Sequence, residues 1–177
     1  MPNVILDPTG GARAVAAAGQ RAPRRADLAG ARIGLLENTK HNADLLLAEV
    51  GRLLVAEHGA AEVVLVKTKT AFALPAADEL IAEFAQACDV VVTGVGDCGS
   101  CSASAVADGV LLEAAGLPAA VICSDAFVAT ADAMAQLRGA PGYRYLTTAH
   151  PVAILDADGV RARAKNLAPA VAALLTS

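Results

Sequence analysis

The chain has no tryptophan, two tyrosines and three phenylalanines, so aromatic residues make up only 3% of its 177 positions. Charged residues are also scarce, at 18%, and their balance is slightly acidic, a formal net charge of −4. A chain this poor in stacking rings and positive charge lacks the surface of a nucleic-acid binder. Long apolar runs are missing too. Hydrophobic residues reach 55% and mean hydropathy is +0.50, but about a quarter of the chain is alanine. The apolar runs fall well short of the roughly 18 residues that span a bilayer, so no membrane partner is expected. Four cysteines are too few for a secreted disulfide scaffold of this length. The opening MPNVILDPTG has no positive stretch leading into an apolar one, so no signal peptide is expected and the predicted location is cytoplasmic. The length suits one domain with a substantial core, not two.

What the chain does have is alternation. Short apolar runs at Ala31–Leu36, Glu62–Val66, Asp89–Val95, Ala119–Cys123 and Tyr143–Thr148 read as five strands. Between and after them, His41–His58, Ala77–Ala87, Ser102–Ala115, Ala126–Leu137 and Val160–Leu175 carry apolar residues at helical spacing. Gly59 follows the first helix as a natural left-handed terminator. Strands and helices alternating through short connections predict a three-layer α/β/α domain around a five-stranded parallel sheet. The length suits a flavodoxin-like or Rossmann-like arrangement with strand order 2-1-3-4-5. Residues 1–30 read differently, as an N-terminal arm and linker leading into the α/β domain at 31–177. The arginines Arg21, Arg24 and Arg25 are expected to be a solvated stretch lying across the domain or against a second subunit.

The segment Val92–Cys101, VTGVGDCGSC, places three glycines and two cysteines between a strand and a helix. Gly94, Gly96 and Gly99 permit positive φ and a close approach of backbone to ligand. Cys101 falls in the first helical turn and Cys98 just before it. Free amides and the positive helix end stabilise a thiolate, so a cysteine here should fall below its reference pKa of about 8.5. The amides from Ser100 to Ala103 could also hold a carboxylate or phosphate. In the order 2-1-3-4-5 the ligand crevice opens between strands 1 and 3. The loop after strand 1, Glu37-Asn38-Thr39-Lys40-His41-Asn42, is a dense polar cluster on the same crevice.

Other residues admit two readings each. Asp97 is a general base, a partner for Lys40 or His150, or a turn residue. Lys40 neutralises an anionic substrate or lies at the surface, and His41 is more simply a solvated first-turn residue, with Asn38 or Asn42 capping the helix. His150, before Pro151 at the end of strand 5, is placed for acid/base work. Ser124 or Asp125 is expected to cap helix 4, with substrate contact as the other use of Ser124. Cys88 and Cys123 read as core. Lys67 and Lys69 read as solvated. Cys123 and His150 are the only further ligands near the cysteine pair, and no second CxxC or HxxxH exists, so no metal and no cofactor is expected. GVGDCG falls short of a nucleotide fingerprint.

Three stretches carry a family resemblance: Leu35–Asp44 (LLENTKHNAD), Thr93–Ser104 (TGVGDCGSCSAS) and His150-Pro151. The chain resembles the UGSC family, named for a selenocysteine-Gly-Ser-Cys motif, over about residues 31–175 and in the LDPT of the arm. The resemblance implies a reactive chalcogen at Cys98, where some relatives carry selenocysteine, and a second motif cysteine at Cys101. The expected activity is thiol-dependent chemistry on a small, anionic molecule. Cys98 attacks a substrate sulfur or electrophilic carbon, and Cys101 resolves the adduct as a disulfide. The catalytic set is Cys98, Cys101, Asp97 and His150; Asn38, Lys40, Gly96, Gly99, Ser100, Ser102 and Ser124 bind substrate. An external dithiol reductant is the expected partner, with a homo-oligomer or partner subunit as a further expectation. A non-redox cysteine-dependent lyase, hydratase or isomerase is the alternative. A non-catalytic redox-sensing subunit is the third reading.

Overall fold

The computed structural model describes residues 21–177; the first 20 residues of the arm and linker predicted over 1–30 lie outside them. The elements alternate as β1 (Arg32–Glu37), α1 (Ala43–His58), β2 (Glu62–Thr68), α2 (Asp78–Ala87), β3 (Val90–Gly96), α3 (Gly99–Ala114), β4 (Ala119–Ser124), α4 (Val128–Leu137), β5 (Leu146–Thr148) and α5 (Ala157–Thr176). All four strand pairings are parallel and the order is β2-β1-β3-β4-β5. This is the predicted three-layer flavodoxin-like α/β fold.

Side-chain alternation along the strands sorts the core into two faces. Ile33, Leu35, Val90, Val92, Ala120 and Ile122 pack with α1 and α5, whose contributions include Leu46, Leu54, Val171 and Leu175. The opposite face holds Leu36 and Val91 against Phe84 and Leu112, and Val121 and Cys123 against Ala105, Val106 and Ala131. β3 and β4 are buried along their whole length, as strands covered on both faces must be. β2 is not the buried strand its β-branched run suggests. It is an edge strand, half-exposed throughout, with Val66 61% exposed.

Three boundaries move by three residues. α3 starts at Gly99, three residues before the sequence expectation, because Cys98 itself caps it. β5 shrinks to three residues; Gly142 turns the chain at φ +76 and Tyr143 and Tyr145 leave the ladder to pack beside α3 and α4. α5 starts early at Ala157, capped by Asp156, whose Oδ1 accepts from the Gly159 amide at 2.8 Å. Gly59 ends α1 at φ +80 as its position implied.

The described linker is not a uniformly solvated stretch. Arg24 forms a two-pronged pair with Glu113 at 2.6 and 2.8 Å, the Ala22 amide adds a third bond to that carboxylate, and Leu28 enters the core. Arg21 and Arg25 stay exposed. Residues 21–30 therefore strap the underside of the domain, anchored on the last turn of α3.

Candidate functional site: a cysteine pair at the start of α3

The end of β3 and the start of α3 are pressed together at Gly96. A Cβ built there would lie 2.6 Å from Cys123 Sγ, 2.7 Å from Ser102 Oγ and 2.8 Å from Ser102 Cα. Only glycine lets the first turn of α3 sit this close to β4. Gly94 takes φ +151, whereas Gly96 and Gly99 do not use positive φ. Around Gly99 the nearest atom is Thr130 Oγ1 at 3.9 Å, so its surroundings are open.

Cys98 and Cys101 are joined as a disulfide, with Cα atoms 5.2 Å apart. Their exposures differ: Cys101 is fully buried, while Cys98 is half-buried. Cys98 Sγ accepts from the Cys101 amide at 3.2 Å and lies 3.5 Å from Ser100 Oγ. Ser102 Oγ donates to the Cys98 carbonyl at 2.8 Å, which fixes the turn from inside. The helix start thus directs an amide at the more accessible sulfur, the arrangement that stabilises a thiolate. Cys88 and Cys123 are free and buried. Burial pushes the Cys88 thiol up to about 11 and the Cys123 thiol to about 12.

Asp97, next in the chain before Cys98, points toward the β5–α5 loop. Its carboxylate accepts from the Val152 amide at 3.1 Å and the Ala153 amide at 2.9 Å, and pairs with His150 Nδ1 at 3.0 Å. Burial works against its charge, but the Ala153 and Val152 amides, with Ser124 and His150, outweigh it and hold the carboxyl below the usual carboxylate range. Ser124 Oγ donates to the Gly96 carbonyl at 3.1 Å and lies 3.1 Å from His150 Nδ1. Because the ionised Asp97 carboxylate can only accept, the nitrogen that faces it, Nδ1, is the protonated one. The basic lone pair of neutral His150 is then on Nε2. The His150 side chain is 36% exposed against 1% for Asp97, and Phe127 meets its ring edge-on with centroids 5.3 Å apart.

Several polar residues are occupied otherwise than the sequence suggested. Asn38 is buried and gives both its amide groups to Val95, donating to its carbonyl at 2.9 Å and accepting from its amide at 3.0 Å. Asn42 precedes α1 at φ +68 without capping it; its amide donates instead to the Val152 and Leu155 carbonyls. His41 Nδ1 lies 2.6 Å from the Ala153 carbonyl, so it ties two loops together instead of standing free in solvent. Neither Ser124 nor Asp125 caps α4 by its side chain; Asp125 Oδ1 accepts from the His150 amide at 3.0 Å. Lys40 is half-buried. Among the described residues no group of three or more His, Cys, Asp or Glu side chains could hold a metal ion.

Two features escaped the sequence reading. Lys69 is not solvated: it is 4% exposed, with Nζ 2.6 Å from Ser104 Oγ and 2.5 Å from Asp108 Oδ2. The Ala76 amide donates to Asp108 Oδ1 at 2.6 Å and Ser104 Oγ to the Leu74 carbonyl at 2.7 Å, so the β2–α2 loop is pinned along α3. The second is the burial of Glu37, which is only 5% exposed at the end of β1. The i, i+3, i+7 spacing of Cys101, Ser104 and Asp108 was the available signal for the first.

Fold and site together define a three-layer α/β protein with a disulfide-forming cysteine pair at the strand-3 crevice. The family model of the UGSC family matches residues 4–177. The chain belongs to the UGSC family. Among curated proteins none matches it. Among solved structures it is similar to the flavodoxin-like domain of a Synechococcus protein, at 17% identity and a TM-score of 0.37, covering 77% of this chain and 90% of that one. The strand order and layering define the fold independently of that likeness.

Proposed function

We propose that the protein is a thiol-dependent oxidoreductase acting on a small, anionic substrate, with Cys98 as nucleophile and Cys101 as resolving thiol. The observation that carries this reading is the asymmetry of the bonded pair: the accessible sulfur sits under a helix-start amide and the other is sealed. In the reduced protein the Cys98 thiolate attacks a substrate sulfur, forming a Cys98–S bond as the substrate's sulfur–sulfur bond breaks. The departing thiolate takes a proton. Cys101 then attacks Cys98, the remaining substrate sulfur leaves as a thiol, and the Cys98–Cys101 disulfide closes. Two electrons pass from the dithiol to the substrate, and an external dithiol returns them. His150 Nε2 is the proton carrier, with Asp97 acting through it as a positioning residue. Lys40 and the Ser100 amide hold the anionic part, because the Cys101 and Ser102 amides are already taken by Cys98. Asn38, Gly96 and Ser124 shape the crevice, Asn38 by fixing Val95. Such a cycle suits the reducing cytoplasm.

The test is intact mass and alkylation. Mild oxidation of the reduced protein should remove two protons, and Cys98→Ser should abolish that loss. At pH 7 reduced Cys98 should alkylate at least tenfold faster than Cys88, which burial holds near 11. Equal rates at the two thiols would sink the reading. The Asp97–His150 pair also supports a second reading, a cysteine-dependent lyase, hydratase or isomerase in which the dyad moves a proton without redox turnover. In that case Cys101→Ser is mild and no reductant is consumed; in the first it is crippling.

A further inference from the structure

Glu37 ends β1, in register with Gly94 of β3 and Thr68 of β2, at the crevice the strand order creates. It is 5% exposed, yet its side chain has no hydrogen-bond or ion-pair partner among the described residues. Glutamate is rarely buried this deeply unless paired, because loss of hydration disfavours its charge. The carboxylate is not sealed, however. Among the described residues the wholly occluded, unpartnered polar atoms are Arg24 Nε, His58 Nε2 and Tyr143 OH, and neither Glu37 oxygen is with them. Its oxygens are therefore not wholly occluded.

Lys40 lies three residues on, half-buried and likewise without a partner among the described residues. The two opposite charges do not neutralise each other. Asn38 between them is pinned to Val95 through both amide groups, and Thr39 turns the backbone at φ +64. The loop is further fixed by His41 and Asn42 bonding to the β5–α5 loop. A carboxylate at the end of β1 and an ammonium three residues on thus stand on one fixed loop, each without a partner among the described residues.

We infer that Glu37 and Lys40 are the recognition groups for a zwitterionic substrate, Glu37 binding its ammonium and Lys40 its carboxylate. This rests on the thiol reading above and narrows its substrate class to a small amino-acid-like sulfur compound. The electron balance is unchanged: a disulfide accepts two electrons from Cys98 and Cys101 and leaves as two thiols.

The reduced protein is tested with four disulfide probes: L-cystine (zwitterionic), cystamine (cationic), 3,3′-dithiodipropionate (anionic) and 2-hydroxyethyl disulfide (neutral). Each exchange rate is divided by that of the neutral probe, so any change in the thiol itself cancels. Cystine should have the highest ratio. Glu37→Gln should lower the cystine and cystamine ratios by about tenfold, the scale of one charge-assisted contact, and leave the dithiodipropionate ratio in place. Lys40→Met should lower the cystine and dithiodipropionate ratios by a similar factor and leave the cystamine ratio in place. Flat ratios in the parent, or a Glu37→Gln effect equal across the charged probes, would overturn the zwitterion site while leaving the thiol chemistry standing. If Cys98 proves unreactive even to the neutral probe, S-methyl-L-cysteine binding to the Cys98→Ser protein by calorimetry decides. Binding weakened about tenfold by Glu37→Gln supports the site, and no binding overturns it.

Discussion

Asp97 carries two backbone amides and an imidazole on one carboxylate, and that load decides what it can do. A carboxyl held below the ordinary range is a poor proton acceptor at neutral pH. It is well suited to fixing the His150 tautomer and closing the β5–α5 loop. The pH dependence follows. The native pKa lies below the unfolded value of about 3.9, so Asp97 stabilises the fold above that value and loses its contribution as pH falls through the native one. Urea unfolding from pH 7 to pH 3 should show an acid slope that is shallower in Asp97→Asn than in the parent, the remainder coming from carboxyls such as Asp89, which Arg32 also holds down. At pH 7 that variant should be weaker by about 2–3 kcal/mol, from losing charged bonds to buried amides. Its thiol-exchange pH profile should also shift, because His150 loses its anchor. An unchanged profile would remove His150 from the chemistry.

At the level of elements, the α3–β2 connection shows where sequence reading succeeds and where it stops. The glycine-flanked cysteines of VTGVGDCGSC place Cys98 just before the helix and Cys101 in its first turn, as the structure has them, because caps and tight approaches are local properties. Lys69 was misjudged because its burial depends on Ser104 and Asp108, some 35 and 39 positions away, which local composition does not reveal. The exposure of β2 is hidden for a related reason: EVVLV reads alike in a central or an edge strand, and it is the order, with β2 outside β1, that exposes it. Asn38 was assigned to substrate because polar loop residues beside a crevice are commonly free; here the last turn of β3 claims it. The Lys69 strut gives a prediction of its own. Lys69→Met leaves Asp108 buried without its cation and should cost about 3–5 kcal/mol at pH 7. Burial already pushes Asp108 up, and without Lys69 it rises further. A carboxyl raised in the native state is destabilising above its unfolded pKa and not below it, so the deficit should shrink from pH 7 toward pH 4. Chemical unfolding at the two pH values measures it. A deficit that stays constant with pH would mean that Asp108 remains ionised in the variant.

For the molecule as a whole, the question is whether the disulfide is a structural staple or a bond that can open and close in place. The sheet is built without it. Two helical layers bury both faces of β3 and β4, Glu113 ties the linker and the β4 start to α3, and neither anchor involves a thiol. The pair is also separated by only three positions, so closing it removes little freedom from the unfolded chain. Loop-entropy reasoning limits the stabilisation to on the order of 2 kcal/mol. Reduction removes that constraint but leaves Cys98 in place as the cap that the Cys101 amide already bonds. Calorimetry with and without reductant should therefore show one cooperative transition in both states, with Tm lower on reduction by no more than about 8 °C for a domain of this size. A staple behaves in the opposite way: its reduction melts the domain or splits the transition, and that outcome would remove the basis for a turnover in which Cys98 and Cys101 alternate between dithiol and disulfide.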